Sequence, residues 1–272
     1  MNDDSWRVHV GANVDLSFGN GKAVRVSPDV KAQYVFSDSY VLYAKATGGR
    51  QLNDFRRLET YNPYLDPGQA VRDTYEQLNA GLGFKASPTP GLWFDIFGGY
   101  QNLKDDLYQS ADQWIGGSGA NYIALGQTNT DNFYAGIKAS YEYKDLFAIS
   151  AGGTYYHWNA DAQTTGSKSS DYNEALLMKP EFDLGIHTEI HPIAALWLNA
   201  GYQYTRRAER YTGLYAKSIP AVSNLSLGAT YRIFKGISAY VKADNLLNKK
   251  YQYYLYYPVE GINFVGGLSF RF

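Results

Sequence analysis

The densest set of side chains able to hold a metal or move a proton is Glu181, Asp183, His187 and Glu189. All four fall on odd positions, so on an extended strand they share one face. A ladder on one strand sets its ligands in a line, whereas a metal needs them to converge from several directions. Lining of a water-filled lumen explains the cluster better than a metal site, and neither metal nor cofactor is expected. A hydrolase at a barrel rim would need a Ser/His pair. His157 is the histidine placed near such a rim, and no particular serine is marked as its partner. The chain carries no Gly-x-Ser-x-Gly elbow and no P-loop, so it is not expected to be an enzyme. What remains is a set of arginines and aromatics in the polar stretches: Arg56, Arg57, Tyr61, Tyr64, Trp114, Tyr122, Arg207, Arg210, Tyr211, Tyr253 and Tyr254. Tyr, Trp and Arg are typical contact residues, so these are candidates for a ligand platform. Ordinary surface loops would carry the same residues. Trp158 reads as part of an interfacial aromatic girdle.

The elements that must position these residues are visible as a period of two. In the closing stretch, Ile262, Phe264, Gly266, Leu268, Phe270 and Phe272 alternate with Asn263, Val265, Gly267, Ser269 and Arg271. The same alternation predicts strands over about 5–18, 23–36, 40–50, 73–87, 91–104, 132–144, 146–159, 172–190, 193–208, 221–234 and 237–246. Pro180 implies a bulge or a later start in the eighth. With the closing stretch the count is twelve, each long enough to cross a bilayer at a tilt. Their connections sort into two kinds. Ser37–Ser39, Pro88–Gly91, Lys144–Asp145, His191–Pro192 and Lys235–Gly236 are short, while about 51–72, 105–131 and 161–171 read as long polar loops.

That asymmetry predicts an all-β fold: a transmembrane antiparallel up-and-down β-barrel with short periplasmic turns, long extracellular loops and both chain ends periplasmic. The predicted inward face mixes Arg25, Asp29, Lys31, Lys45, Lys85, Asp95, Lys138 and Glu142. Unpaired charge of both signs cannot form a dry core, but it can line water or a polar plug. Free strand edges in lipid are costly, so twelve strands should close or pair edge to edge between copies.

Bulk composition agrees. The chain has 272 residues, with 26 Tyr, 13 Phe, 5 Trp and 27 Gly. Tyr and Phe favour strands, and Tyr and Trp favour the membrane boundary. Mean hydropathy is -0.38 and no long apolar run suits a transmembrane helix. Alternation averages hydropathy away, so a barrel stays open. A net charge of -1 points away from nucleic acid. The absence of cysteine excludes disulfides and thiolate metal sites. The acidic start Met1-Asn-Asp-Asp-Ser has no apolar stretch behind it and is not expected to act as a secretory leader.

The last fifty or so residues resemble the end of a TonB-dependent receptor. The likeness runs through Ile219-Pro220, Asn224 to Tyr231, Lys235-Gly236 and Ile237 to Val241. It continues through Asp244-Asn-Leu-Leu-Asn-Lys-Lys-Tyr251 to the terminal Gly-Leu-Ser-Phe-Arg-Phe. The resemblance implies a ligand-gated outer-membrane importer for iron chelates, cobalamin, sugars or peptides, with a plug inside a barrel of twenty-two strands. Residues 1–272 would be one outer-membrane unit, the C-terminal part of a larger receptor barrel, with no plug before Trp6. Expected partners are outer-membrane lipid and lipopolysaccharide, a small-molecule ligand, and the energy complex only through an absent plug. The barrel assembly machinery would read Phe264, Leu268, Phe270 and Phe272. The alternatives are a self-contained twelve-stranded passive channel and the rim hydrolase.

Overall fold

A computed structural model describes residues 5–19, 22–65, 68–115, 122–161, 174–207 and 219–271. In chain order the strands are β1 (Trp6–Leu16), β2 (Val24–Ser37), β3 (Tyr40–Gln51), β4 (Thr74–Thr89), β5 (Leu92–Ile115), β6 (Tyr122–Tyr143), β7 (Phe147–Ala160), β8 (Pro180–Ile193), β9 (Leu196–Arg207), β10 (Val222–Phe234), β11 (Ile237–Asp244), β12 (Gln252–Tyr254), β13 (Tyr257–Pro258) and β14 (Asn263–Phe270). A short helix, α1 (Phe55–Tyr61), lies between β3 and β4, and a single 3-10 turn covers Glu174–Leu176. Strands β1 to β11 and β14 form one twelve-stranded sheet, each paired antiparallel with its neighbour along the chain. β12 and β13 form a separate small hairpin.

The pairings carry the alternation across the sheet. On one face, Val10 lies opposite Val30, Val30 opposite Ala46, Ala46 opposite Ala80, Ala80 opposite Tyr100 and Tyr100 opposite Phe133. On the other, Gly83 meets Phe97, Phe97 meets Gly136, Gly136 meets Thr154, Thr154 meets Asp183 and Asp183 meets Thr205. The first face is apolar and open. Val10 is 75%, Leu82 65% and Phe264 70% exposed. Water does not tolerate a continuous apolar face of this kind on a monomer, whereas lipid does.

Two aromatic bands frame it. Trp6, Tyr34 and Phe36 pack in series at 4.7 Å per ring pair, and Tyr40, Phe84 and Phe94 continue the band toward the short-turn end. Tyr100 against Phe133 and Phe182 against Tyr204 form the other. Along β6 from Phe133 to Tyr141 the rise is roughly 27 Å at about 3.4 Å per residue, comparable to the ~25 Å apolar belt of an outer-membrane barrel.

On the opposite face tyrosines pack across neighbouring strands over glycine. A Cβ on Gly83 would stand 2.5 Å from the Tyr43 ring, and one on Gly99 equally close to the Tyr134 hydroxyl. Bare glycines let these tyrosines lie flat across the neighbouring strand. Tyr43 thereby reaches from β3 over β4 and donates to Asp95 Oδ1 of β5 at 3.0 Å. Tyr134 reaches from β6 over β5 and donates to Asn79 Oδ1 of β4 at 2.8 Å. Such links between strands two apart draw the sheet into a curve.

The structure departs from the sequence reading in several places. The stretch expected as a loop over about 105–131 is mostly strand: β5 and β6 run on past a register shift between Leu103 and Asp106 to pair Gln109 with Leu125. This ribbon lies beyond the apolar belt, so neither face alternates and its Gln, Thr and Gly residues disguise it. The expected loop over about 51–72 holds α1, whose N-cap Asp54 accepts from the Arg57 amide, and the expected loop over 161–171 lies, beyond Asp161, outside the described residues. β8 begins at Pro180, as its missing N–H requires. Its turn falls at Ala194–Ala195 and not at His191–Pro192, because the register shifts between Ile190 and Ile193. Closure within the chain is not seen: among the described residues β1 pairs only with β2, and β14 only with β11.

Candidate functional site

At the long-loop end the connections gather into one cap. The β5–β6 ribbon forms its centre. Ile123, Leu177 and Leu255 make a small buried core, with Leu65, Met178, Ile219 and Tyr257 against it. These residues come from the β3–β4 connection, β6, the approach to β8, the approach to β10 and the β11–β14 connection. Gln109 is the polar node. Its Oε1 accepts from Asn62 Nδ2 at 3.1 Å and from the Leu255 amide at 2.9 Å. Asn62 is wholly buried and its Oδ1 accepts from the Tyr64 amide. A buried carboxylate, Asp106, accepts from Thr130 and pairs with Lys179. The Lys179 ammonium lies 4.6 Å from the centre of the Trp158 ring.

This places the sequence candidates. Tyr61 donates to the Leu107 carbonyl at 3.2 Å. Burial raises its phenol above the ordinary value, and the Asp106 carboxylate adds to the shift. Tyr64 stacks on Tyr257 at 3.5 Å and meets Tyr254 edge-on at 5.8 Å. These three tyrosines build the cap. Arg57 donates to Gln51, while Arg56 is exposed on α1. Trp114 and Tyr122 sit at the ribbon tip, in the pairs Trp114–Ile123 and Ile115–Tyr122. Tyr253 donates to Gln203 at 3.2 Å. Arg207 is 8% exposed, and its Nε and Nη1 have no hydrogen-bond partner among the described residues. Arg210, Tyr211 and Phe272 lie outside the described residues. Phe264, Leu268 and Phe270 are exposed on the apolar face of β14.

The remaining chemistry-bearing residues separate. His157 is exposed opposite Phe133 on the apolar face. His187 contacts Glu189 at 3.1 Å with both side chains more than half exposed, a solvated pair. Trp158 is not in a lipid-facing girdle. Its partner in register is buried Asn132, and its Nε1 donates to the Pro180 carbonyl at 3.0 Å. It shares the polar face with Tyr43, Lys45, Lys85, Asp95, Tyr134 and Lys138, which together line a hollow of about 410 Å³.

The sequence reading missed Gln109, Asn62 and Asp105, whose partners are up to 146 positions away. No local pattern announces such residues.

No family model matches the sequence, and no curated protein matches it. Solved structures do. The ferric-catecholate import receptor Fiu from E. coli K12 superposes with a TM-score of 0.65 at 12% identity, over 99% of this chain and 43% of its own. The pyoverdine outer membrane receptor FpvA from Pseudomonas aeruginosa PAO1 gives 0.64 at 17% identity, over 100% of this chain and 40% of its own. The ferric enterobactin receptor PfeA from Pseudomonas aeruginosa gives 0.64 at 15% identity, over 100% and 43%. The likeness is one of fold. This chain spans about two fifths of the length of each of these receptors. The stretch whose sequence resembles a receptor's end, from residue 219 onward, forms β10, β11, the β11–β14 connection and β14. Within that stretch Asn245 has a positive φ of 53°. Its Nδ2 donates to the Lys249 and Glu260 carbonyls, and its Oδ1 accepts from the Lys249 amide.

Proposed function

We propose that this chain is the C-terminal barrel region of a TonB-dependent receptor that takes a ligand across the outer membrane of a Gram-negative bacterium. The observation that carries the reading is the pairing of two unlike faces in one curved sheet. One is apolar and banded by aromatics, the other is polar and strung with lysines and carboxylates, and a built cap stands over the long-loop end. In this reading the cap is extracellular, the short turns and both chain ends are periplasmic, and the free edges of β1 and β14 meet further strands of a larger barrel. The apolar face meets lipid and the outer leaflet meets lipopolysaccharide. Phe264, Leu268 and Phe270, with Phe272, serve the barrel assembly machinery, and the energy complex acts only through a plug.

Among the loop-end candidates Arg207 supports ligand contact best. A buried guanidinium with two unused donors favours an anionic group, and Tyr253 and Gln203 stand on the same side. Arg56 is free for contact on α1, whereas Tyr61, Tyr64 and Tyr254 support the wall.

Disrupting the full reading frame that encodes this segment should abolish growth on the cognate ligand, and so should removing the energy complex. Growth loss in the first strain with normal uptake in the second would leave a passive channel. Planar-bilayer recording checks that alternative directly: uniform single-channel steps from the 272-residue chain alone would favour a self-sufficient pore.

A further inference from the structure

Near the long-loop end the sheet splits. β2 pairs with β3 only from Asp29 onward, while Val24–Pro28 pair with β1 alone. Pro28 has no N–H to offer a ladder at this point. β3 passes a bulge between Thr47 and Gly49 and thereafter pairs only with β4. The diverging strands leave a cleft of about 570 Å³, lined among others by Lys22, Arg25, Arg72, Tyr75, Lys104 and Asp105. Among the described residues Asp105 is the only acid in that lining, and it is already committed, accepting from Arg25 at 3.1 Å and pairing with Arg72 at 2.8 Å. It is also fixed in place. Its φ is 53°, and its carbonyl accepts from Thr74 and Gln127. The adjoining hollow holds Asp15, Arg50 and Asp73, and Arg50 and Asp73 are paired with each other. Counting both spaces, five cations face three acids, and Lys22 and Lys104 have no acid partner among the described residues.

A second observation points to a ligand. Tyr75 lines both spaces and is 3% exposed, and its hydroxyl has no hydrogen-bond partner among the described residues. The Arg25 guanidinium lies 4.7 Å from its ring centre. A buried hydroxyl without a partner is costly, and Tyr75 lines the same cleft as Lys22 and as Lys104, its partner in strand register.

We propose that this cleft is a binding site for a phosphate monoester. Lys22 and Lys104 neutralise the dianion, the Tyr75 hydroxyl donates to an oxygen of it, and the Arg25–Asp105–Arg72 group holds the wall rigid and supplies further N–H donors. The volume exceeds that of a bare phosphate, so the group arrives on a larger molecule, either a free phosphorylated compound or a phosphorylated glycolipid of the membrane. The site is separate from Arg207 and stands whether or not the chain transports anything.

The test uses the full chain folded in detergent and inorganic phosphate as probe, titrated by calorimetry at constant ionic strength. Saturable binding is expected, weakened about tenfold by Lys22→Gln or Lys104→Gln and about fivefold by Tyr75→Phe. Lys235→Gln in the exposed β10–β11 turn should leave it unchanged. Tyr75→Phe without phosphate should keep or raise the unfolding midpoint, since it removes an unpartnered hydroxyl. A parallel arm measures retention of phosphorylated and dephosphorylated lipopolysaccharide. Retention that needs both the phosphates and the lysines assigns the cleft to membrane lipid. Phosphate binding with lipid retention indifferent to the lysines assigns it to a free ligand. Absence of saturable phosphate binding together with indifferent lipid retention overturns the site, as does unchanged affinity in the Lys22→Gln/Lys104→Gln double variant.

Discussion

Replacing Gly83 by alanine tests how the sheet is curved. The new Cβ would fall 2.5 Å from the Tyr43 ring, against an ordinary contact of 3.4 Å or more. Tyr43 must therefore lift off β4, and its hydroxyl loses Asp95, to whose two oxygens it stands at 3.0 and 3.2 Å. A hydrogen bond to a charged group contributes about 1.5–3 kcal/mol. Tyr43 faces the polar hollow, so water recovers part of that and the lower half of the range applies. Relieving glycine in a strand offsets roughly 0.5–1 kcal/mol. The net expectation for Gly83→Ala is a loss of about 1 kcal/mol, and for Tyr43→Phe about 1.5–2 kcal/mol. The decisive quantity is their coupling. In the Tyr43→Ala background the clash is gone, so Gly83→Ala should be neutral or stabilising by up to about 1 kcal/mol. Urea unfolding of the folded chain in lipid, followed by tryptophan fluorescence, measures all four states of the cycle. Additive effects within ~0.3 kcal/mol would refute the idea that glycine acts by admitting the tyrosine.

Other outcomes follow from the cap and the C-terminal corner. Lys179→Gln leaves Asp106 buried without its cation. It should cost about 2–3 kcal/mol, below the ~3–5 of a fully buried pair because Lys179 keeps some solvent contact, and speed hydrogen exchange at Leu107 without altering β10 or β11. Asn245→Ala removes three side-chain bonds and sets at φ 53° a residue that tolerates the left-handed region less well than asparagine. A loss of about 2–3 kcal/mol is expected, and Asn245→Gly, which suits the backbone, should recover only part of it in a denaturation midpoint. Tyr61 is held neutral by burial, so its folded pKa lies above the unfolded value near 10. Its stabilising effect is complete below pH ~10 and is lost as the pH rises toward the folded value. Alkaline titration by phenolate absorbance should show a late-ionising tyrosine that vanishes in Tyr61→Phe, and an early one in its place would contradict the buried geometry.

Much of this protein was legible in one dimension. A side chain every second residue, apolar on one face and charged on the other, is a local property of a strand between lipid and water. Hence the twelve membrane strands, their order and most of their turns could be read directly, from Trp6 to Phe270. Turn chemistry told the short connections from the long ones. Outside the lipid that rule lapses, and there the reading failed. The β5–β6 ribbon has no apolar face to betray it, and the stretch that folds as α1 looked like plain loop. Trp158 was assigned to the girdle from its type, yet register points it to the polar side. Only the tertiary structure decided which tyrosines are wall and which residues are free, because that depends on partners far apart in sequence: Gln109 with Leu255, Asp105 with Arg25, Tyr43 with Asp95. Strand pairing is written in the period of the sequence, while contacts between loops and across glycines are fixed only when the sheet curves and brings distant strands over one another.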